Sequence, residues 1–597
     1  MMGAPELVSR RGSAPQGAAI ELAVWPVQGR GEPVGRGDAD GIVSAGDPDM
    51  STQTEPTSKV PQEAVADDGE GGTTSPWMDV VVPVLQGSGD TAAMTADVCV
   101  IGAGIAGLST AYLLACEGRR VIVLDDGAVG GGETSRTTAH LASYLDDRFT
   151  VLEKLHGARG AELAAESHAA AIELIERICE KEDIDCDLRR VDGYLFRGAD
   201  SPAELLDDEL AASIRAGHIS AEMVPRIPVP GYDSGPAIRF PRQAQFHPMK
   251  YMAGLAAAFE RLGGRIFTDV HVDRIDKPQV EGGAMTVASA KGVSVVAGSV
   301  VVATNGPIES VIALPLKQAA YRTYAVALVV PRGAIPAALY WDTSEPYHYA
   351  RITPGTEKQT TDLLVVGGED HRTGQDDDQG QRFSRLEQWA RARFPGIAAV
   401  VARWSGQVLE PADGLAFIGR VGSGDERVYV ITGDSGHGMT HGTLGGVIVA
   451  DAMAGRANRW ADLYAPGRVT LRSAADFIKE NANTALQYAD WLLAGDVADV
   501  AQIPPGGGAI VRRGLHLLAV YRDEAGTAHE MSAACRHLGG VVRWNAVERS
   551  WDCPCHGARY DAFGKVICGP ANRDLEPANP PTGRDGEPAI GAQPATV

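Results

Sequence analysis

The sequence has no run of eighteen apolar residues, so no transmembrane helix is expected. Basic residues are scarce: 54 Lys and Arg stand against 77 Asp and Glu, a formal net charge of −23. That balance repels phosphate and argues against nucleic acid or an anionic membrane face as a partner. Cysteine is sparse too, eight in 597 residues, too few for a disulfide scaffold of this length. No internal repeat recurs. What is present suffices for large cores: hydrophobic residues make up 44% of the chain, enough for two or three domains plus tails.

Residues 1–92 are rich in Gly, Ala, Pro, Ser, Thr and acids and show no sustained period, which predicts a disordered tail. Arg10-Arg11 matches the start of a twin-arginine export signal. Glu21 interrupts the stretch that follows and no cleavage site appears, so a solvated tail is the expectation. Met78 and Met94 are candidate alternative starts.

From Ala96 the pattern is ordered. Asp97-Val-Cys-Val-Ile101 reads as a buried strand, a Gly-rich turn leads into a helix ending near Gly118, and Arg120–Leu124 reads as a second strand. Helices are predicted within 150–216, at 250–262 and at Thr440–Ala454, and strands at Val293–Ala303 and Leu363–Gly367. Ala461–Leu493 reads as a helical connector that Pro466 interrupts. From Val497 short strands and Gly/Pro turns signal a separate small β domain. The expected boundaries are a tail at 1–92, a large domain at 93–458, the connector at 459–493 and the β domain at 494–590.

Gly102-Ala-Gly104-Ile-Ala-Gly107 matches GxGxxG in the right context, after a strand and opening a helix, with Asp125 ending the next strand. Gly102 permits the tight turn, Gly104 lets the backbone approach a pyrophosphate, and Gly107 allows close helix–strand packing. Asp125 can hold both ribose hydroxyls, which disfavours a 2′-phosphate and so NADP. These residues alone leave FAD and NAD both open.

A second Gly-rich stretch, Gly130-Gly-Gly132-Glu-Thr-Ser-Arg136-Thr-Thr138-Ala139-His140, follows directly. The pair resembles the D-amino-acid-oxidase-like superfamily of FAD enzymes, where the second loop lines the pyrophosphate and the flavin. Three further stretches carry the same resemblance: Val301-Val-Ala-Thr304-Asn-Gly306, Pro411-Ala-Asp-Gly-Leu-Ala-Phe-Ile-Gly419, and Tyr429-Val-Ile-Thr-Gly433-Asp-Ser-Gly436-His437-Gly438-Met439. The resemblance covers about residues 96–455. It implies an α/β Rossmann-type FAD domain with an antiparallel-sheet substrate domain, and FAD held by Gly102, Gly104, Gly107, Asp125, Gly132, Arg136, Thr138, Ala139, Thr304, Gly433, Gly436, Gly438 and Met439. It also implies that the helix starting near Thr440 aims its positive end at the pyrimidine side of the flavin. Arg136 stands where a His would suit covalent linkage, so FAD is expected to be non-covalent.

Cys535-Arg-His537 is followed, after fifteen residues, by Cys553-Pro-Cys555-His556. Two thiolates on one iron and two imidazoles on the other make a Rieske-type 2Fe-2S cluster; zinc is the competing reading of four such residues. Gly539, Gly540, Pro554 and Gly557, with Gly-Ala-Arg-Tyr560-Asp-Ala-Phe563-Gly-Lys, resemble the small all-β Rieske domain. In respiratory-type Rieske proteins a disulfide joins the two loops. Here Cys555 occupies one of those positions and Gly540 the other, which points to a ferredoxin-like centre in the cytoplasm. His537 and His556 are expected near the surface.

Asp434, His437 and His441 also spell D-x2-H-x3-H, close to a 2-His-1-carboxylate iron motif. They fall inside the flavin motif with one residue too few between the histidines, so no mononuclear iron is expected. From about residue 75 the layout resembles a bacterial family of FAD-dependent oxidoreductases with a C-terminal Rieske domain; Trp77, Phe246-His247-Pro248, Gly367-Gly-Glu-Asp-His371 and Trp404-Ser-Gly-Gln407 share in the match. The resemblance implies oxidation of a small amine, amino acid or hydroxy acid, with single electrons leaving through the cluster to an external acceptor protein. The alternative is an electron-transfer or reductase component serving a partner enzyme, with an external donor. Candidate catalytic or substrate residues are Arg322, Tyr324, Arg351 and His437, with Tyr347 and Trp404 as further contacts and His140 near the flavin.

Overall fold

The structure is a computed structural model. It describes residues 73–84, 94–278, 283–307, 314–422, 427–470 and 474–578, with the side chains of 474–479 excepted. The tail expected at 1–92 lies outside the described residues apart from 73–84, as does the end of the last domain after 578.

The first strand, β1 (Met94–Ile101), is buried along most of its length, with Val98, Cys99 and Val100 fully enclosed. A continuous apolar run of this kind suits a strand covered on both faces. It pairs in parallel with Val121–Leu124 (β2) and with Ser294–Val302, and the sheet continues through Arg265–Phe267 on one side and Val428–Thr432 on the other. Helix α1 (Ile105–Cys116) packs on this sheet beside the helix Gly438–Ala454. Their contact is close because the second helix presents glycines: a Cβ on Gly446 would lie 3.0 Å from the Thr110 nitrogen, and one on Gly442 3.1 Å from that of Ala106.

A nine-stranded, largely antiparallel sheet forms the second layer. Its long strands are Gln318–Pro331, Thr361–Arg372 and Ala399–Pro411, and its far side is Arg189–Phe196, Ala237–Gln245 and His140–Leu141. This is the expected Rossmann-type domain with an antiparallel substrate domain. The connector holds two short helices, Ala461–Tyr464 and Ala474–Gln487, on either side of Pro466. Beyond it stand a three-stranded sheet (Gly508–Arg513, His516–Arg522, Ala528–Ser532) and a four-stranded one (Arg543–Asn545, Ser550–Asp552, Arg559–Asp561, Val566–Cys568).

One expected boundary moves. Residues 73–84, placed with the tail from composition, dock on the large domain. Trp77 is 2% exposed, donates its indole N–H to the Thr137 carbonyl (2.7 Å) and packs edge-on against His247. The Arg351 guanidinium lies over its ring at 5.1 Å. One buried aromatic suffices to fix a polar segment. Trp77→Ala should lower unfolding stability by about 3–5 kcal/mol, the usual cost of emptying a core tryptophan site. Denaturant unfolding checks this, and a loss under 1 kcal/mol would show that the segment is not docked.

Candidate functional site

A cavity of about 1000 Å³ runs along the carboxyl ends of the parallel strands. Its narrow part is built by the first glycine turn. Gly102 has φ +101°, and a Cβ there would meet the Ala303 carbonyl oxygen at 2.4 Å. Gly107 does not line the cavity; a Cβ on it would strike the Gly102 oxygen at 1.8 Å, so it is the packing glycine of the motif. Asp125 accepts from the backbone N–H of Ala103 (2.5 Å) and Gly127 (2.8 Å). Burial pushes its carboxyl up to about 7 and those two donors offset part of the rise. Further hydroxyl donors, such as a ribose, would stabilise its ionised form.

Gly102, Gly104, Asp125, Gly132, Arg136, Thr138, Thr304, Gly433, Gly436, Gly438 and Met439 all line the cavity. Ala139 does not; it is fully buried behind the wall at φ +58°. This cradle of close-approach glycines with an acid at its ribose end fits FAD.

At the opposite end from Asp125 the lining turns aromatic and acidic. His140, Asp146, Thr323, Trp341, Tyr347, Tyr349 and His437 face the cavity. Tyr347 and Tyr349 stack at 5.7 Å, and the Tyr347 hydroxyl donates to Asp370 (3.3 Å). Burial pushes the carboxyls of Asp146, Asp370 and Asp434 each up to about 7, and raises Glu410 further with help from its acidic neighbours. His437 is held neutral, burial pushing it down to about 4; its Nε2 accepts the Asp146 N–H at 3.0 Å.

His441 donates from Nδ1 to the Asp434 carbonyl (2.8 Å) and its Nε2 faces His168 Nε2 at 3.1 Å. Both its nitrogens are engaged within the protein.

Of the proposed catalytic residues only His437 reaches the cavity, together with Tyr347. Tyr324 is buried and bonded through its hydroxyl to His371 Nε2 (2.8 Å). Arg351 lies over Trp77 and donates from Nη2 to the Phe246 carbonyl (3.2 Å). Trp404 is buried, its indole donating to the Arg136 carbonyl (2.8 Å). Arg322 faces the C-terminal domain. There Glu548, on the turn between Arg543–Asn545 and Ser550–Asp552, reaches into the large domain. Its carboxylate meets Arg136 and Arg322, each at 3.4 Å, accepts from Thr73 (2.5 Å), and accepts from Ser405, which Arg322 also contacts. Burial works against its charge, yet Arg136, Arg322 and Arg559 pull its carboxyl down to about 2.

The C-terminal domain also closes the cavity at the Asp125 end. Lys565–Gly569 and Ala571–Asp574 line it, and Gly569 abuts Gly306. His271 Nε2 bonds the Asn572 carbonyl (2.9 Å), and the Asn572 amide donates to the Asp273 carbonyl (3.2 Å). Sequence reasoning missed these residues, since no local pattern marks a groove wall contributed from so far along the chain. Cys568 faces this groove rather than Cys555.

Cys535, His537, Cys553 and His556 come together at the tips of two loops. Both thiols are buried and the imidazoles stand edge to face at 5.0 Å. Burial pushes both rings down to about 4. His537 Nδ1 and His556 Nε2 are buried with no hydrogen-bond partner, as expected of nitrogens that a metal cluster would engage. Tyr560 lies 3.2 Å from Cys535 Sγ. A Cβ on Gly540 would sit 2.5 Å from Cys555 Sγ, so the position opposite Cys555 has no side chain to bridge, and all eight cysteines are free. The residues fit a 2Fe-2S cluster with two thiolate and two imidazole ligands.

The two histidines differ in surroundings, which corrects the expectation that both lie near the surface. His537 is half-buried beside exposed Leu538. His556 is buried in a cleft against Gln318–Ala320 of the large domain and the connector residues Glu480–Thr484. The connector clamps both loops: Trp491 donates to the Gly539 carbonyl (3.0 Å) and Tyr488 to that of Leu538 (2.8 Å), while Thr484 donates to that of Cys555 (3.3 Å).

Comparison with known proteins agrees with this geometry. The family FAD dependent oxidoreductase matches residues 97–452, and the Rieske [2Fe-2S] domain matches 491–579. YhfW of Bacillus subtilis (strain 168), named a Rieske 2Fe-2S iron-sulfur protein, is 28% identical over 482 residues, 80% of this chain and 92% of that one. Gamma-glutamylputrescine oxidoreductase of Escherichia coli (strain K12) is 28% identical over 401 residues, 64% of this chain and 90% of that one. Among solved structures, L-amino acid deaminase from Proteus vulgaris shares the fold with a TM-score of 0.52 at 17% identity, covering 67% of this chain and all of the other.

Proposed function

Since the chain belongs to the family of FAD dependent oxidoreductases and ends in a Rieske [2Fe-2S] domain, we propose that it oxidises a small cationic amine and passes the electrons singly through the cluster to an external acceptor protein. The carrying observation is the part of the cavity lining formed by Asp146, Trp341, Tyr347 and Tyr349, an acid set among three aromatic faces. Aromatic faces and carboxylates attract an ammonium group, whereas a carboxylate substrate needs a guanidinium there. Neither Arg322 nor Arg351 lines this cavity. The oxidoreductase from Escherichia coli named above acts on an amine, which supports the same reading.

When bound, FAD supplies a hydride acceptor and the cluster a one-electron carrier. The protein's part is to hold the amine between the tyrosines and carboxylates and to keep His437 neutral. Asp146, with its carboxyl near 7, can exchange a proton at neutral pH. The same reading takes 93–458 as the oxidoreductase module, 459–493 as the connector and 494–590 as the Rieske module. It locates the protein in the reducing cytoplasm, supported by eight cysteines with no disulfide among them. Among the described residues no helix is long and apolar enough to cross a membrane.

The test is anaerobic. The holoprotein is mixed with panels of amines, amino acids and hydroxy acids while flavin bleaching and the Rieske EPR signal are recorded. Amines should bleach the flavin, with KM falling as pH rises through about 7, because a carboxyl raised by burial ionises there and an ionised acid holds the cation better. Bleaching only by carboxylate substrates, or only by NADH with a reductase, would overturn the amine reading.

A further inference from the structure

Gln407 both lines the cofactor cavity and bonds the second cluster loop. This side chain lies on the strand Ala399–Pro411, is 2% exposed, and lines the cavity. Its Nε2 donates to the Gly557 carbonyl at 2.9 Å, and Gly557 directly follows the cluster residue His556. Only the amide nitrogen can face a carbonyl oxygen, so the orientation of the amide is fixed. The other end, Oε1, is buried without a partner in the protein. The Gln407 backbone N–H donates to Glu133 Oε2 (2.7 Å), and Glu133 lies on the second glycine-rich loop and lines the same cavity. The fit is tight: a Cβ on Gly557 would lie 2.2 Å from Ala320 Cβ and 2.6 Å from Gln407 Nε2.

We infer that Gln407 is the positioning residue that seats the second cluster loop on the cavity wall and carries the inward electron route. That route runs through the Gln407 amide, across Nε2–H···O=C to Gly557, and along one peptide to His556. The inference rests on the proposed internal transfer from flavin to cluster. Each event moves one electron, oxidising the flavin by one and reducing the cluster by one, and no bond forms or breaks. The exposed loop around His537 and Leu538 is then left for the external acceptor.

The test uses the full-length holoprotein and photoreduced 5-deazariboflavin as electron source, with a flash and time-resolved absorbance of both centres. Gln407→Met keeps the length and bulk of the side chain and removes the amide. It should retain FAD and cluster in wild-type amounts with unchanged cluster midpoint potential. Flavin-to-cluster transfer should slow, because the Nε2–H···O=C contact that couples the cavity wall to the cluster loop is lost. Gly557→Ala, which leaves Gln407 intact but pushes the loop off it, should slow the same step. Wild-type rates in either variant at full cofactor content would overturn the assignment. Should Gln407→Met lose cofactor, the Gly557→Ala rate decides by itself. Absence of any transfer in the wild type would instead overturn the two-centre reading beneath it.

Discussion

Glu548→Ala should destabilise the protein by about 3–5 kcal/mol, the cost of stripping a buried ion pair of one partner. The loss follows from what remains. Arg322 is 0% exposed, its Nε and Nη1 already lack partners, and removal of Glu548 leaves its charge facing Arg136 and Arg559. Glu548→Gln should cost less, since the amide oxygen can still accept from Thr73 and Ser405. The pH dependence has a definite sign. The Glu548 carboxyl is held at about 2, below its ordinary value, so its stabilisation is complete at neutral pH. It fades as pH falls from about 4 toward 2, where the native carboxylate takes up a proton. Denaturant unfolding of wild type and both variants at pH 7 checks the first statement and a pH series the second. A cost below 1 kcal/mol for the alanine variant would mean the two domains do not depend on this contact.

Loss of the cluster should also release FAD. Cys553→Ser removes one of the two thiolates, and a small metal domain that loses its metal loses much of its folding free energy. In this chain that domain supplies Lys565–Gly569 and Ala571–Asp574 to the cofactor cavity, joined through His271 and Asn572. Anaerobically purified Cys553→Ser should therefore bind FAD at least about tenfold more weakly, an affinity loss near 1.4 kcal/mol. The check is a titration of FAD into the deflavinated variant, followed by flavin fluorescence. Equal affinity with and without cluster would show that the cavity is closed by the large domain alone.

Local features were legible in the sequence. The GxGxxG turn is defined by steric demands within a few residues, so Gly102 and Gly107 took the roles their spacing implied. The four residues that the structure brings together, Cys535, His537, Cys553 and His556, and the empty position at Gly540 were equally plain, because each pair sits within one loop. Arg322 was misjudged for the opposite reason. A buried arginine on a substrate-domain strand looks like a carboxylate clamp until its partner is known, and that partner, Glu548, lies in another domain. Trp77 fell within a tail drawn from composition, although it also shared in the family match; composition averages over a window, and one indole anchors the segment. The acids that line this part of the cavity, Asp146 and Asp434, stand on elements far apart in the chain, and no single stretch betrays them. Gln407 was visible only as part of a family match; its bond to Gly557 depends on how the two domains dock.

The central claim is that one chain joins the oxidising cavity to the cluster by an internal path. The most direct measurement is the rate at which the Rieske EPR signal appears after anaerobic photoreduction of the flavin, taken over a range of protein concentrations. The account predicts a first-order rate that does not change with dilution. A cluster that stays oxidised beside bleached flavin, or a rate proportional to protein concentration, would contradict it.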